Sequence, residues 1–81
     1  VYIKDNARIF DNAIVTDNAI ISGNAQIFGH AQVFGRAQVF ENASIHDNAI
    51  VEGSARVSGK TKVYGNAKIN GNQLIDKGYI R

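Results

Sequence analysis

The chain repeats one six-residue phrase almost from end to end, and this repeat limits its possible folds more than any other feature. The repeat is clearest in "GNAQIFGHAQVFGRAQVFENASI", residues 23–45. Counted from the Asn of the phrase, position four is always Ile or Val, at residues 9, 15, 21, 27, 33, 39, 45, 51, 57, 63, 69 and 75. Position two is Ala except at Thr61 and Gln73, and position six is Asp, Gly or Glu until Lys77.

An α-helix and a β-meander both fail to keep the Ile/Val position on one side. Six residues of a helix turn through about 240°, so these side chains would lie on three sides of the rod. In a meander with two-residue hairpins, they would change face at every strand.

A parallel β-coil keeps the Ile/Val position inside. Positions two and four of a strand share a face, and every corner turns the same way. Positions six and one make the corner, where Gly and Asn tolerate the left-handed backbone conformation. We therefore predict an all-β solenoid in which six residues form one side and one corner.

The hexads NARIFD, NAIVTD and NAQIFG, continued over nearly the whole chain, resemble the hexapeptide-repeat superfamily. The resemblance implies a single-stranded left-handed parallel β-helix with a triangular cross-section and about four and a half coils. The variant is similar to bacterial Asn-Ala-x-Val-x-Gly repeat proteins, which are often labelled acyltransferases on fold alone. We assign residues 1–76 to the β-helix and residues 77–81 to a C-terminal cap, with Tyr79 or Ile80 folding over the core.

Composition and charge exclude several classes of protein. Without cysteine, neither a disulfide framework nor a thiolate metal site is available. The net charge of +2 is too small to indicate a nucleic-acid partner. No apolar run approaches the roughly 20 residues that cross a bilayer, and no signal peptide is visible, so no membrane association and a cytoplasmic location are expected.

Charge is distributed unevenly along the chain. Residues 1–52 carry a net charge of −3, and residues 53–81 carry +5. Two interpretations are open: two solvated surfaces, or complementary ends that help molecules to associate head to tail.

With three hexads in each coil, positions three and five point outward on three faces. On the first face, position five forms an aromatic ladder, with rungs about 4.8 Å apart. Phe34 lies on the second face and Phe40 on the third. The possible interface residues are Phe10, Phe28, His46 and Tyr64, which form the ladder, together with Phe34 and Phe40.

Three roles are open for the aromatic side chains. Stacking could stabilise neighbouring coils, the exposed rings could form a protein–protein interface, or they could offer a stacking platform to sugar rings or bases. An interface would make the protein a homo-oligomer, either a trimer as is usual for the superfamily or an end-to-end assembly.

Active members of the superfamily are mostly acyl-CoA or acetyl-CoA transferases, in which a His acts as general base between two subunits. The catalytic candidates here are His46, Asp47 and His30, but neither His has the family's spacing from its aliphatic residue. No loop interrupts the hexads of residues 6–71 to close over a ligand. Two histidines at this spacing do not make a zinc site, and the glycines recur once per hexad as corner residues.

The sequence therefore predicts a structural protein with no catalytic site, no cofactor and no bound metal. It would be a β-solenoid rod or oligomerisation module within a larger bacterial or phage-derived protein. The alternative is the repeat domain of a trimeric acyltransferase, and only then would acetyl-CoA be a ligand. A carbohydrate-contacting surface is a third possibility.

Overall fold

Fourteen strands of two residues each make up the regular structure of the computed structural model, which describes residues 1–81. No helix is present, so the chain is all-β as predicted. The strands are β1 (Tyr2–Ile3), β2 (Arg8–Ile9), β3 (Ile14–Val15), β4 (Ile20–Ile21), β5 (Gln26–Ile27), β6 (Gln32–Val33), β7 (Gln38–Val39), β8 (Ser44–Ile45), β9 (Ile50–Val51), β10 (Arg56–Val57), β11 (Lys62–Val63), β12 (Lys68–Ile69), β13 (Leu74–Ile75) and β14 (Tyr79–Ile80).

The strands stack in three parallel sheets, and each strand pairs with the one three places further along the chain. Ile9 lies opposite Ile27, and Val15 lies opposite Val33. The sheet orders are β1-β4-β7-β10-β13, β2-β5-β8-β11-β14 and β3-β6-β9-β12. One coil thus has three sides, which confirms the predicted triangular parallel β-solenoid, with about four coils. The left-handed direction of the coil stays a prediction from the resemblance.

Positions two and four of the hexad form one continuous core along the solenoid axis. The core consists of buried Ala, Ile and Val side chains between Ala19 and Ile69, all at 5% exposure or less. Each fully buried Ile or Val contributes about 1.5–3 kcal/mol. In the first coil Ile3 is 47% exposed, and Ile9 and Val15 are only half-buried. The core is therefore closed from Ala19 to Ile69 and is open in the first coil.

Thr61 and Gln73 occupy position two of the hexad, where all other hexads have Ala. Each makes a hydrogen bond that explains its presence there. The fully buried Thr61 hydroxyl donates to the Ser58 carbonyl oxygen at 2.8 Å, so the polar atom is satisfied. The Gln73 Oε1 accepts from the backbone N–H of Asn70 at 3.2 Å. One coil earlier, the equivalent N–H of Glu52 donates to the next coil, at the Ile69 carbonyl oxygen. The Gln73 amide replaces that bond.

The corners turn at position six of the hexad. Every residue at this position from Asp5 to Gly71 has a positive φ, between 59° and 71°. The expectation that Asn at position one shares this conformation is wrong, because no Asn in the chain has a positive φ. A non-glycine residue in the left-handed region costs about 1–2 kcal/mol, so the acidic residues found there need a compensating interaction.

That interaction is a hydrogen bond from each acidic corner to the next coil. The carboxylates accept from a glycine N–H eighteen residues later, at 2.7–3.3 Å. The pairs are Asp5 with Gly23, Asp11 with Gly29, Asp17 with Gly35, Glu41 with Gly59, and Asp47 with Gly65. A hydrogen bond of this kind stabilises by about 1 kcal/mol or more, which offsets the backbone strain at the corner.

The C-terminal residues continue the solenoid, but one residue early. Residues 76–78 separate β13 from β14, whereas four residues separate each earlier pair of strands. β14 still pairs in register with β11, with Tyr79 opposite Lys62 and Ile80 opposite Val63. Ile80 packs partly buried against the core, whereas Tyr79 is 68% exposed on the outer surface.

We predict that Gly53→Ala destabilises the solenoid more than Gly71→Ala. Both glycines have a positive φ, 68° and 63°, so both substitutions carry the left-handed cost of about 1–2 kcal/mol. At Gly53 the added Cβ would lie 2.8 Å from the Gly71 backbone nitrogen, whereas at Gly71 nothing lies within 4 Å. Urea unfolding should show a further loss of about 1 kcal/mol or more for Gly53→Ala. Equal losses of stability in the two variants would mean that neighbouring corners move apart freely to admit the added methyl group.

Candidate interaction surfaces

The three sheets present three outer faces, which differ in what they carry. The first face belongs to β2, β5, β8, β11 and β14, the second to β3, β6, β9 and β12, and the third to β1, β4, β7, β10 and β13. On each face the side chains at positions three and five of the hexad point outward. Because every pairing is in register, each outward side chain lies above its equivalent in the next coil.

The first face contains the predicted aromatic ladder. The ring centroids of Phe10 and Phe28 are 4.9 Å apart, those of Phe28 and His46 are 4.8 Å apart, and those of His46 and Tyr64 are 5.4 Å apart. Successive ring planes lie within 12° of parallel. The first two spacings match the distance of about 4.8 Å between paired strands, so the backbone register itself places the rings in contact.

This stacking covers the flat faces of the rings. Phe28 and His46 each have a ring on both sides, and only their edges remain toward solvent. A platform for sugars or bases needs an accessible ring face. Of the three roles open to the ladder, the geometry therefore favours stabilisation of neighbouring coils.

Tyr79 extends the ladder at its C-terminal end, which sequence analysis missed. Its ring meets that of Tyr64 edge-on, with centroids 6.3 Å apart and planes at 83°. The Lys62 ammonium lies 5.7 Å from the centre of the Tyr79 ring, a cation–π contact. The sequence contained a signal for this position, because the six-residue repeat breaks after Ile75. The corner that follows is one residue shorter than the others, and Tyr79 therefore occupies position three of its strand.

The structure places His46 and Asp47 in contact. Their Nδ1 and Oδ1 atoms are 3.3 Å apart, and the Asp47 Oδ2 accepts from the Gly65 N–H at 3.1 Å. The Gly65 hydrogen bond, followed by the hydrogen bond from His46, holds the pKa of Asp47 below its ordinary value of 3.8. His46 is an aromatic rung and Asp47 a corner residue, so each has a structural role where it lies.

His30 is exposed at position one of a corner, one coil before Asp47. Its backbone N–H donates to the Asp47 carbonyl oxygen at 2.8 Å, which places the two residues in the same corner stack. Three shallow depressions open on the surface, lined by residues 6–8, 24 and 26, by residues 7–10, and by residues 54, 56 and 72–74. None of them includes His30, His46 or Asp47.

Phe34 and Phe40 lie away from the ladder. Phe34 follows β6 on the second face, and Phe40 follows β7 on the third. The six aromatic residues proposed as interface candidates therefore belong to three different surfaces.

No three His, Asp or Glu side chains are placed together to hold a metal ion. The chain has no helix of the length and apolarity needed to cross a bilayer.

One family model matches the chain. Residues 7–23 match the YdcK beta solenoid repeat. The matched stretch contains β2, β3 and β4, one strand from each of the three sheets, and thus about one coil. This match and the parallel three-sided architecture agree with a hexapeptide-repeat-like β-helix. No curated protein and no solved structure matches the chain.

We predict that Phe28→Ala lowers stability more than Phe34→Ala. Both Phe residues occupy position five and are half-buried, but Phe28 stacks on two rings, whereas Phe34 lies between Thr16 and Glu52 along its face. An aromatic pair contributes about 0.5–1.5 kcal/mol beyond area burial, so the difference should be about 1–3 kcal/mol. Chemical denaturation of the two variants measures it directly. Equal losses would show that the ladder adds nothing to ordinary burial.

The Asp47 carboxylate should make stability depend on pH. A pKa lowered by folding means that the folded protein binds the proton less tightly than the unfolded chain. Its stabilising contribution is therefore present above pH 3.8 and is lost as pH falls through the depressed pKa. Asp47→Asn should be less stable than wild type at neutral pH, and thermal unfolding should show the difference shrinking in acid. A difference that is constant with pH would contradict the assignment.

Proposed function

We propose that this chain is a structural β-solenoid module, a stiff rod or oligomerisation segment of a larger protein. The observation that carries the proposal is the constant length of the corners. From β1 to β13 every pair of consecutive strands is joined by four residues, so the three faces are flat and continuous. Flat faces suit a spacer or a surface that binds another protein chain, whereas ligand sites are usually concave.

The hydrogen-bond pattern supports stiffness. Of 51 backbone hydrogen bonds, only 11 join residues within strands. Most of the remainder run from one coil to the next at strand ends and corners, and the corner carboxylates add five more. Each coil is tied to the next around its whole perimeter, which resists bending.

The alternative, a repeat domain of an acyltransferase that uses acetyl-CoA, gains no support from the geometry. A general base must reach the acceptor's proton, and its surroundings must hold that acceptor in place. The His46 ring is covered on both faces by Phe28 and Tyr64, and its Nδ1 contacts Asp47. These contacts are those of a packed side chain.

Solution mass and ligand binding together test the proposal. Light scattering should give a monomer or a reversible assembly, and titration with acetyl-CoA should give no saturable heat in calorimetry. As a control, His46→Phe preserves the ladder and should leave both results unchanged. Saturable binding of acetyl-CoA that His46→Phe abolishes would overturn the structural assignment in favour of the transferase.

A further inference from the structure

The asparagines of this chain differ in the residue that follows them. Of nine asparagines, seven precede Ala and one precedes Gln, whereas Asn70 precedes Gly71. Asparagine is a thermolabile residue, because its side-chain amide can react with the backbone nitrogen of the next residue. A glycine in that next position has no Cβ to hinder the nitrogen. The chemistry of the sequence thus makes Asn70 the most reactive of the nine.

The corners protect the seven asparagines that precede Ala. After each of them, the Ala N–H donates to the carbonyl oxygen three residues earlier, at 3.3 or 3.4 Å. Asn66 is an example, since the N–H of Ala67 donates to the Tyr64 carbonyl oxygen at 3.3 Å. Such a nitrogen must give up its hydrogen bond before it can attack a neighbouring side chain, which costs free energy.

The N–H of Gly71 has no such protection. At five other corners the glycine N–H donates to the carboxylate of the residue eighteen places earlier. The residue eighteen places before Gly71 is Gly53, which has no side chain to accept a hydrogen bond. The Gly71 N–H therefore donates to no group of the chain. Because these corner bonds always run back to the preceding coil, a further coil after Gly71 would leave this N–H as it is.

The side chain of Asn70 is accessible to the same reaction. Asn70 follows β12 at position five of the hexad, which is an outward position in every coil, and its side chain is exposed. Its backbone N–H donates to the Gln73 Oε1 at 3.2 Å, whereas its side-chain amide makes no hydrogen bond. Neither reacting group has to leave a partner first.

We propose that Asn70 is a site of spontaneous deamidation. The Gly71 nitrogen attacks the Asn70 Cγ and forms a C–N bond, and the side-chain nitrogen leaves as ammonia with the proton from the Gly71 N–H. Water then opens the five-membered succinimide at either of its two carbonyl carbons, which gives aspartate or isoaspartate. The reacting atoms belong to adjacent residues, so the first step has the high effective concentration of an intramolecular reaction. Water is the only co-reactant, and the modification is independent of the structural role proposed above.

The product changes the charge of the second face. The outward charged residues of that face are Glu52 and Lys68, whose formal charges cancel. Deamidation adds a carboxylate at residue 70, which occupies the same position as Glu52 in a paired strand about 4.8 Å away. Like charges directly opposite each other on neighbouring strands are unfavourable. The net charge of +2 falls by one, so unmodified and modified chains present different surfaces to a partner on this face.

Peptide mapping compares the asparagines within one molecule. The folded chain is incubated in mildly alkaline buffer and digested with trypsin, and mass spectrometry measures the deamidated fraction against an unincubated sample. Cleavage after Lys68 and Lys77 releases Asn70 and Asn72 in one peptide, where fragment ions distinguish them. Asn70 should convert to aspartate and isoaspartate, and Asn66 and Asn72 should convert at least about ten-fold more slowly.

Asn72 is the internal control for the glycine. The Gln73 N–H makes no hydrogen bond either, so Asn70 and Asn72 differ mainly in the Cβ of the following residue. Gly71→Ala should accordingly slow the reaction at Asn70 about ten-fold or more and leave Asn72 unchanged. Circular dichroism confirms that the variant keeps its β-structure.

A matched pair of variants tests the unprotected N–H. Gly53→Asp and Gly53→Ala add the same Cβ at the same corner, but only Gly53→Asp offers a carboxylate to the Gly71 N–H. The model for this bond is Asp5, which accepts from the Gly23 N–H at 3.1 Å. Asn70 should therefore react more slowly in Gly53→Asp than in Gly53→Ala, although both keep the Asn-Gly dipeptide.

Four results would overturn the proposal. They are an Asn70 no more reactive than Asn72, an unchanged rate in Gly71→Ala, and equal rates in Gly53→Asp and Gly53→Ala. The fourth is a reaction more than about a hundred-fold faster in urea than in buffer, which would show that it waits for unfolding. The structural role would stand in each case, because it depends on solution mass and ligand binding.

Discussion

Parallel pairing between residues eighteen apart is the constraint on which the rest of this structure depends. It stacks each side chain on the one at the same position of the next coil, because the repeat of six divides the coil into three equal sides. Aliphatic residues then meet aliphatic residues in the core, and on the first face aromatic rings meet aromatic rings. A chain with strands of only two residues is held together in this way, since most of its hydrogen bonds form outside the strands.

The corners show how local strain and long-range contact compensate each other. An Asp at a positive φ is unfavourable by itself, yet Asp5, Asp11, Asp17 and Asp47 adopt this conformation. The same conformation aims the carboxylate at the N–H of a glycine in the next coil. Strain in one coil is thus offset by a bond to another, and the corner residue acts between coils rather than within its own turn.

The repeat of six was sufficient to predict the parallel β-coil and its buried positions. The three-sided coil came from the resemblance to the hexapeptide-repeat superfamily, and the ladder, whose members lie eighteen residues apart, depended on it. The hydrogen bonds of the corner carboxylates were not predicted, although a signal was present: each acidic residue at position six has a glycine eighteen places later. Tyr79 was misplaced because the hexad count fails after Ile75. Whether Phe34 or Phe40 contacts a partner does not follow from periodicity, since a lone outward aromatic residue fits the repeat equally well with or without one.

The short corner at residues 76–78 has a consequence for how such chains change in evolution. β14 joins its sheet in register although one residue is missing before it. The strand is positioned by the neighbour that it pairs with, and counting along the backbone matters less. Insertions and deletions at corners can therefore accumulate without exchanging the buried and the outward positions of the strands. A single residue lost from a two-residue strand, in contrast, would remove a whole side of one coil.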